Sequence, residues 1–195
     1  MLRRRAKTGL RERGTSLIEV LITLVILAIG LLGIAGLQAK MSLGQMESYQ
    51  RSQALLAMND MVERISANGA QAASYVTNGT VGTGDAEPTD CSTLAEGPQR
   101  DLCEWSNDLK GAAEQKLSAD VGGMVGARGC VVQVQAPNPT PGVCTPGVYQ
   151  VSVAWQGLSP TTVSGLTCAA GDYGANDAYR HVVATSVVVG TTSCF

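Results

Sequence analysis

Aromatic side chains are scarce in this sequence: five Tyr, two Trp and one Phe, 4% of the residues. A core with so few of them draws on aliphatic and small side chains and is modest for its chain length. Charged residues are also sparse, at 15%, against 45% hydrophobic. That balance excludes the disordered class, which combines low hydrophobicity with high net charge. Histidine occurs once, at His181, and no two cysteines stand in C-x-x-C spacing. The usual zinc and dithiol redox patterns are therefore missing. The nucleophile-elbow pattern G-x-S-x-G is missing too, and His181 has no nearby Cys or carboxylate set in the sequence. The expectation is a chain that is not an enzyme and needs no metal or cofactor.

Acidic charge is nearly absent from one end. Residues 1–14 carry Arg3, Arg4, Arg5, Lys7, Arg11 and Arg13 against Glu12, a net charge of +5. Residues 15–195 carry eight basic and fifteen acidic side chains, a net charge of −7. An acidic body without a basic patch is a poor phosphate binder, so no nucleic-acid partner is expected.

What the sequence does have is one long apolar run. Val20–Leu37 is free of charge for 18 residues, close to the shortest helix that crosses a bilayer. The basic cluster before it keeps that side cytoplasmic. Everything after Leu37 then faces an oxidising compartment. The six cysteines, Cys91, Cys103, Cys130, Cys144, Cys168 and Cys194, all lie on that side and are expected in disulfides. No small-residue cleavage site closes the run, unlike a secretory signal peptide. One acid, Glu19, sits at its start, where an ionised carboxylate is costly and usually functional. Gly30, Gly33 and Gly36 would let a neighbouring helix approach, or loosen the helix itself.

The residues Gly14-Thr15-Ser16-Leu17-Ile18-Glu19-Val20, after a short basic leader and before the apolar run, resemble the processing site of type IV prepilins and pseudopilins. The resemblance implies cleavage between Gly14 and Thr15 by a membrane prepilin peptidase, and N-methylation of Thr15. It implies that Glu19 is an assembly residue, placed to meet the α-amine of a neighbouring subunit. Both groups are charged near neutral pH, and burying either alone in a filament would be expensive. Thr15 in place of the Phe usual in major pilins, and Gly36 where many have proline, point to a minor subunit. The overall layout resembles the pilus modification protein (PilV) class.

Beyond Leu37 apolar residues recur at helical spacing: Leu37 and Met41, then Leu55, Met58, Met61 or Val62, and Ile65. No proline interrupts residues 15–68, and Asn68-Gly69 is a stop signal. One helix over about 15–68 is expected. Residues 69–104 read as a loop rich in Gly, Ser, Thr and Pro. A short helix over Asn107–Leu117, capped by Ser106 or Asn107, is expected next. Three strands follow, Cys130–Gln135, Val148–Gln156 and Arg180–Val189, the first two joined across a proline-rich turn. In the second strand Tyr149, Val151, Val153 and Trp155 share one face, and Val148, Gln150, Ser152 and Ala154 the other. Sequential disulfides, 91–103, 130–144 and 168–194, are the favoured connectivity, the last enclosing a C-terminal loop as in the pilin family. Gly171–Asp177 carries Asp172, Asn176 and Asp177 and reads as an Asx-rich turn rather than a calcium loop. Asn78-Gly79-Thr80 matches the N-glycosylation pattern and suits a loop equally well.

The fold expectation is α+β, the pilin fold: a long helix packed on a small antiparallel sheet in a disulfide-stapled head. The segments are a cleaved leader over 1–14, an apolar transmembrane or filament-core helix over 15–37, and a periplasmic or extracellular head over 38–195. The function implied is a minor pilin that primes or enters a type IV pilus, with motility, adhesion and surface sensing as consequences. Its partners would be the major pilin, other minor pilins, the prepilin peptidase and the inner-membrane assembly platform. The alternative is a minor pseudopilin of a type II secretion system; a membrane-anchored periplasmic enzyme or a DNA-uptake receptor fits less well.

Overall fold

A computed structural model describes residue 14 and residues 16–111, 115–116, 119–120, 123–174 and 176–191. The basic leader residues before Gly14, Thr15 and Cys194 lie outside the described residues. The chain divides into two compact units, Met1–Gly44 and Gln45–Phe195. The boundary falls within one continuous helix, α1, over Leu17–Ala67.

Helix α1 forms because its residues favour helix over a long stretch without proline. Its second half buries Gln50, Ala54, Met58, Met61 and Ile65 along one stripe, the three-to-four spacing of a helix lying on a core. A 3-10 turn over Gly69–Tyr75 follows. The chain then makes a short strand β1 (Val81–Gly82) and helix α2 (Pro98–Lys110). Two further two-residue strands, β2 (Gln115–Lys116) and β3 (Ala119–Asp120), pair with each other. Strands β4 (Arg128–Gln135), β5 (Gly147–Gln156) and β6 (Arg180–Val189) complete the order. The main sheet runs β1-β4-β5-β6 and is antiparallel throughout. This is the α+β pilin-like architecture that the sequence led one to expect.

The inner face of the sheet supplies Val131, Tyr149, Val151, Val153, Trp155 and Val187 to a single core with Met58, Met61 and Ile65 of α1. The alternation expected in β5 is present: Tyr149, Val151, Val153 and Trp155 face that core. The other face is not simply solvated. Ser152 and Ala154 are buried as well, because Cys130, Cys168, Ala169 and Tyr173 form a second, smaller cluster over Ala154.

The expected helix over Asn107–Leu117 is corrected. Helix α2 begins nine residues earlier, at Pro98, with Gly97 before it at φ 128° and Gly111 after it at φ 89°. Proline at the first helical position and a left-handed glycine at the end are the helix's own boundary signals. Ser106 and Asn107 are not caps. The Ser106 hydroxyl donates to Asp85, and the Asn107 amide donates to the carbonyls of Pro88 and Thr89, both at 3.1 Å.

Of the three expected disulfides one is present and two are corrected. Cys91 and Cys103 are bonded, with Cα atoms 5.8 Å apart. Cys130 is bonded to Cys168, not to Cys144, again with Cα atoms 5.8 Å apart, and this pairing also excludes 168–194. The reason is register. Cys130 stands opposite Ser152, whereas Cys144 lies in the hairpin connection beyond the Gln135–Val148 pair. Five strand positions at about 3.4 Å each separate them, well past the reach of a disulfide. Cys144 is itself disulfide-bonded, to a residue outside the described set.

Candidate functional site

The start of α1 carries the residues singled out by the sequence. Gly14 is exposed and outside the helix. The Ser16 carbonyl accepts the first helical hydrogen bonds, from the Glu19 N–H at 2.9 Å and the Val20 N–H at 3.3 Å. Glu19 is therefore in the first turn of the helix, where a carboxylate is favoured by the unpaired N–H groups of the helix start. Its side chain is exposed. Thr15, the expected methylation site, lies outside the described residues.

The helix beyond Glu19 is apolar on every side. Val20, Leu21, Ile22, Leu24, Val25 and Ile26 are all between 47% and 64% exposed. An 18-residue window has a mean hydropathy of 2.8 and none of it is buried within the chain. Helices apolar all round are covered by lipid or by other helices. The hydroxyl of Thr23 donates to the Val20 carbonyl at 2.8 Å, which leaves no unmet donor on that side chain. A Cβ added at Gly30, Gly33 or Gly36 would meet nothing within 4 Å. Packing inside this chain therefore does not require glycine at any of them.

The head holds ionic clusters that sequence reading missed, because their members are far apart in the chain. At the end of α1, Arg64 donates to Asp60 at 2.8 Å, Asp101 at 3.0 Å and Glu104 at 2.8 Å. Burial works against the Arg64 charge, but the three carboxylates outweigh it and raise its pKa. Arg64 and then Arg100 lower that of Glu104 through hydrogen bonds. Tyr75 donates to Asp101 and accepts from the Asn68 amide at 2.8 Å. Burial, then that bond to Asp101, pushes the Tyr75 phenol up to about 12.

A second cluster centres on Asp85, which accepts from the Gly82 N–H at 2.7 Å and from Ser106, and pairs with Lys110. Burial pushes the Asp85 carboxyl up, but the hydrogen bonds from Lys110 and Ser106 win and hold it below the ordinary range. These salt bridges tie helix to helix and loop to helix.

The remaining sequence candidates are accounted for by packing. His181 lies beside Trp155, ring centroids 5.6 Å apart. Its Nε2 is 3.0 Å from the Ser159 carbonyl, which can only accept, so Nε2 carries the proton. In the loop over 171–177, Asp172 pairs with Arg128 at 3.3 Å and Asp177 with Arg180 at 2.8 Å. Two arginines thus occupy the acids that a calcium ion would need. Among the described residues no group of three His, Cys, Asp or Glu side chains is placed to hold a metal.

Against known families, residues 10–35 match the prokaryotic N-terminal methylation motif, the type IV prepilin-like leader. The match spans Gly14, Thr15 and Glu19 and ends within the apolar helix. It implies processing by a prepilin peptidase and assembly with other pilins, and the apolar helix is consistent with membrane anchoring. No curated protein and no solved structure matches the chain.

Proposed function

We propose that this chain is a minor subunit of a type IV pilus, structural rather than catalytic. It would be cleaved between Gly14 and Thr15, methylated at Thr15, and drawn from the inner membrane into or beneath the fibre. The observation that carries this reading is the methylation motif over residues 10–35 continuing into a helix that is exposed and apolar on all sides. A helix of this kind has two uses in sequence, first as an anchor in lipid and then as the packed centre of a fibre. The departures at Thr15 and Gly36 favour a minor over a major subunit.

In this reading, cleavage creates a new α-amine at Thr15 one turn before Glu19. Pairing that amine with Glu19 of a neighbour cancels two charges that are each costly to bury. Methylation leaves the amine basic, so the pair survives. The head, with its periplasmic or extracellular position, would set which neighbours it accepts. Adhesion, motility and surface sensing would follow from the fibre.

Mass spectrometry of the native protein is the direct test. A mature chain beginning at N-methyl-Thr15 is expected; an intact leader on the membrane-extracted protein overturns the proposal. Replacing Glu19 with Val should leave processing intact and remove the chain from the sheared fibre fraction. The same motif also supports a minor pseudopilin of a secretion system. Deletion separates the two: loss of surface pili marks the first, loss of protein secretion with normal pili the second.

A further inference from the structure

Six asparagines occur in the chain, and only Asn68 and Asn78 precede a glycine. An Asn-Gly step is where a chain modifies itself most readily. Glycine has no side chain to shield its backbone nitrogen and turns freely toward the asparagine. That nitrogen attacks the side-chain carbonyl carbon and closes a five-membered succinimide. One C–N bond forms, one breaks, and the proton of the backbone nitrogen leaves with the ammonia. Water then opens the ring at either carbonyl, giving aspartate or isoaspartate. No reactant but water is needed, so the rate depends on whether the fold leaves both groups free.

At Asn68 the fold holds the step. The side-chain amide donates to Tyr75 Oη at 2.8 Å and to Asp101 at 3.3 Å. Tyr75 is fully buried, and Asp101 also pairs with Arg64. The backbone is pinned as well: the Asn68 N–H donates to the Arg64 carbonyl at 3.0 Å, and the Asn68 carbonyl accepts from the Gln71 N–H at 2.8 Å. Gly69 lies against β6, where a Cβ would fall 2.9 Å from Val189. Turning the Asn68 side chain onto the Gly69 nitrogen would break a bond to an ionised acceptor, which is the stronger kind.

At Asn78 the fold holds neither group. Asn78 and Gly79 are both exposed, in the bend that leads into β1. Among the described residues nothing hydrogen-bonds to the Asn78 side chain or to the Gly79 N–H. Gly79 has φ 112°, and a Cβ there would meet nothing within 4 Å.

The same bend has a structural task. Strand β1 pairs with β4 only at Arg128 and Gly129. Thr77 takes over that edge at Val131: its N–H donates to the Val131 carbonyl at 3.0 Å, and its hydroxyl accepts from the Val131 N–H at 3.1 Å. The Thr77 hydroxyl is oriented in turn by donating to the Gly79 carbonyl at 2.9 Å. That last bond spans the Asn78–Gly79 peptide.

We propose that Asn78 is a self-modification site, converted to aspartate and isoaspartate by attack of the Gly79 nitrogen while Asn68 is preserved, and that the isoaspartyl form releases the β4 edge at Val131. Isoaspartate routes the main chain through the former side chain, which places one extra carbon between Thr77 and Gly79. The Thr77–Gly79 bond cannot keep its geometry around the longer loop. The Thr77 hydroxyl then loses the acceptor that aims it at Val131. Either product also adds a negative charge to a body whose net charge is −7.

The test uses the full chain in detergent, disulfides intact, incubated in mildly alkaline buffer, where the attacking nitrogen loses its proton more readily. Peptide mass spectrometry follows both asparagines over time, with fragmentation that tells isoaspartate from aspartate. In the folded chain Asn78 should convert faster than Asn68 by about tenfold or more, equivalent to about 1.4 kcal/mol in barrier. In reduced chain unfolded by denaturant the two should convert at similar rates, because each is then followed only by its glycine. Converted chain, separated by its added charge, should lose hydrogen-exchange protection at the Val131 N–H, while unconverted chain keeps it. Folded chain in which Asn68 keeps pace, or in which Asn78 does not convert, overturns the proposal. So does native chain carrying a glycan on Asn78, since the amide is then no longer free to leave. Isoaspartyl chain with Val131 still protected overturns the release of the β4 edge.

Discussion

The ring of Trp105 lies directly over Gly129. A Cβ built on Gly129 would fall 2.2 Å from Cη2 of the indole, so only glycine fits beneath it. The same indole donates its N–H to the Ala57 carbonyl at 2.8 Å. One side chain, 0% exposed, thus ties α2 to the sheet and to α1. With so few aromatics in the chain, this contact has few substitutes.

Gly129→Ala should therefore destabilise the head by about 1–3 kcal/mol, the usual cost of overpacking a filled core. Trp105→Ala should cost about 3–5 kcal/mol through the cavity it leaves. The double variant should lose less than the sum, because removing the ring frees the space the new methyl needs. Chemical denaturation of the full chain in detergent, followed by circular dichroism, measures all three.

Disulfide mapping gives a second check. Proteolysis without reduction should release one linked peptide pair joining Cys91 to Cys103 and another joining Cys130 to Cys168. A Cys130–Cys144 product would contradict the register of β4 and β5. Replacing both Cys130 and Cys168 with Ala should cost about 2–4 kcal/mol and loosen the loop packed over Ala154.

How far the sequence speaks depends on how local the cause is. Helix α1 was legible because its determinants lie along the chain: no proline, apolar residues at helical spacing, and Asn68 as a stop. Strand β6 was bounded correctly over Arg180–Val189 because a β-branched run ends at Gly190. The start of α2 was also written locally, in Gly97-Pro98, but was hidden within a stretch rich in loop residues. The Cys130–Cys168 bond was not legible. It depends on where the chain between β5 and β6 comes to rest, and that is decided by packing against Ala154 and Tyr173. At the candidate site, the stretch holding Gly14, Thr15 and Glu19 stood out because the methylation motif that residues 10–35 match is a linear pattern along the chain.

Stability should fall in acid partly through Asp85. Its folded-state pKa is held below the ordinary value, with the Lys110 and Ser106 hydrogen bonds outweighing burial. A depressed carboxyl stabilises the fold above its unfolded value, about 3.9, and loses that contribution as pH falls through the folded value. Denaturation midpoints measured from pH 6 down to pH 3 should decline, and Asp85→Asn should flatten the lowest part of the curve. An unchanged slope in the variant would mean that other carboxylates, Glu104 and Asp177 among them, carry the whole effect.

Arg180 offers the sharpest test of how the outer face is held. It is 2% exposed at the start of β6, a position where an unpaired guanidinium would be expensive. Its Nε donates to Asp177 at 2.8 Å, and its terminal nitrogens donate to the carbonyls of Leu166 at 2.9 Å, Cys168 at 3.2 Å and Ser164 at 2.9 Å. Asp177 in turn accepts from the Gly171 N–H at 2.9 Å. One planar side chain therefore fixes both ends of the loop that carries Cys168. Lysine has one nitrogen and cannot reach three carbonyls and a carboxylate at once. Arg180→Lys should therefore fail to restore what Arg180→Ala loses. The alanine variant leaves the Cys168 carbonyl buried without its donor, a cost of about 1–3 kcal/mol for that group alone. Local loosening has its own readout besides global stability. In both variants the Cys130–Cys168 bond should be reduced by a small thiol faster than in the parent chain, while Cys91–Cys103 keeps its rate. Equal rates for both bonds in the parent and the variants would show that the loop stays in place without the arginine.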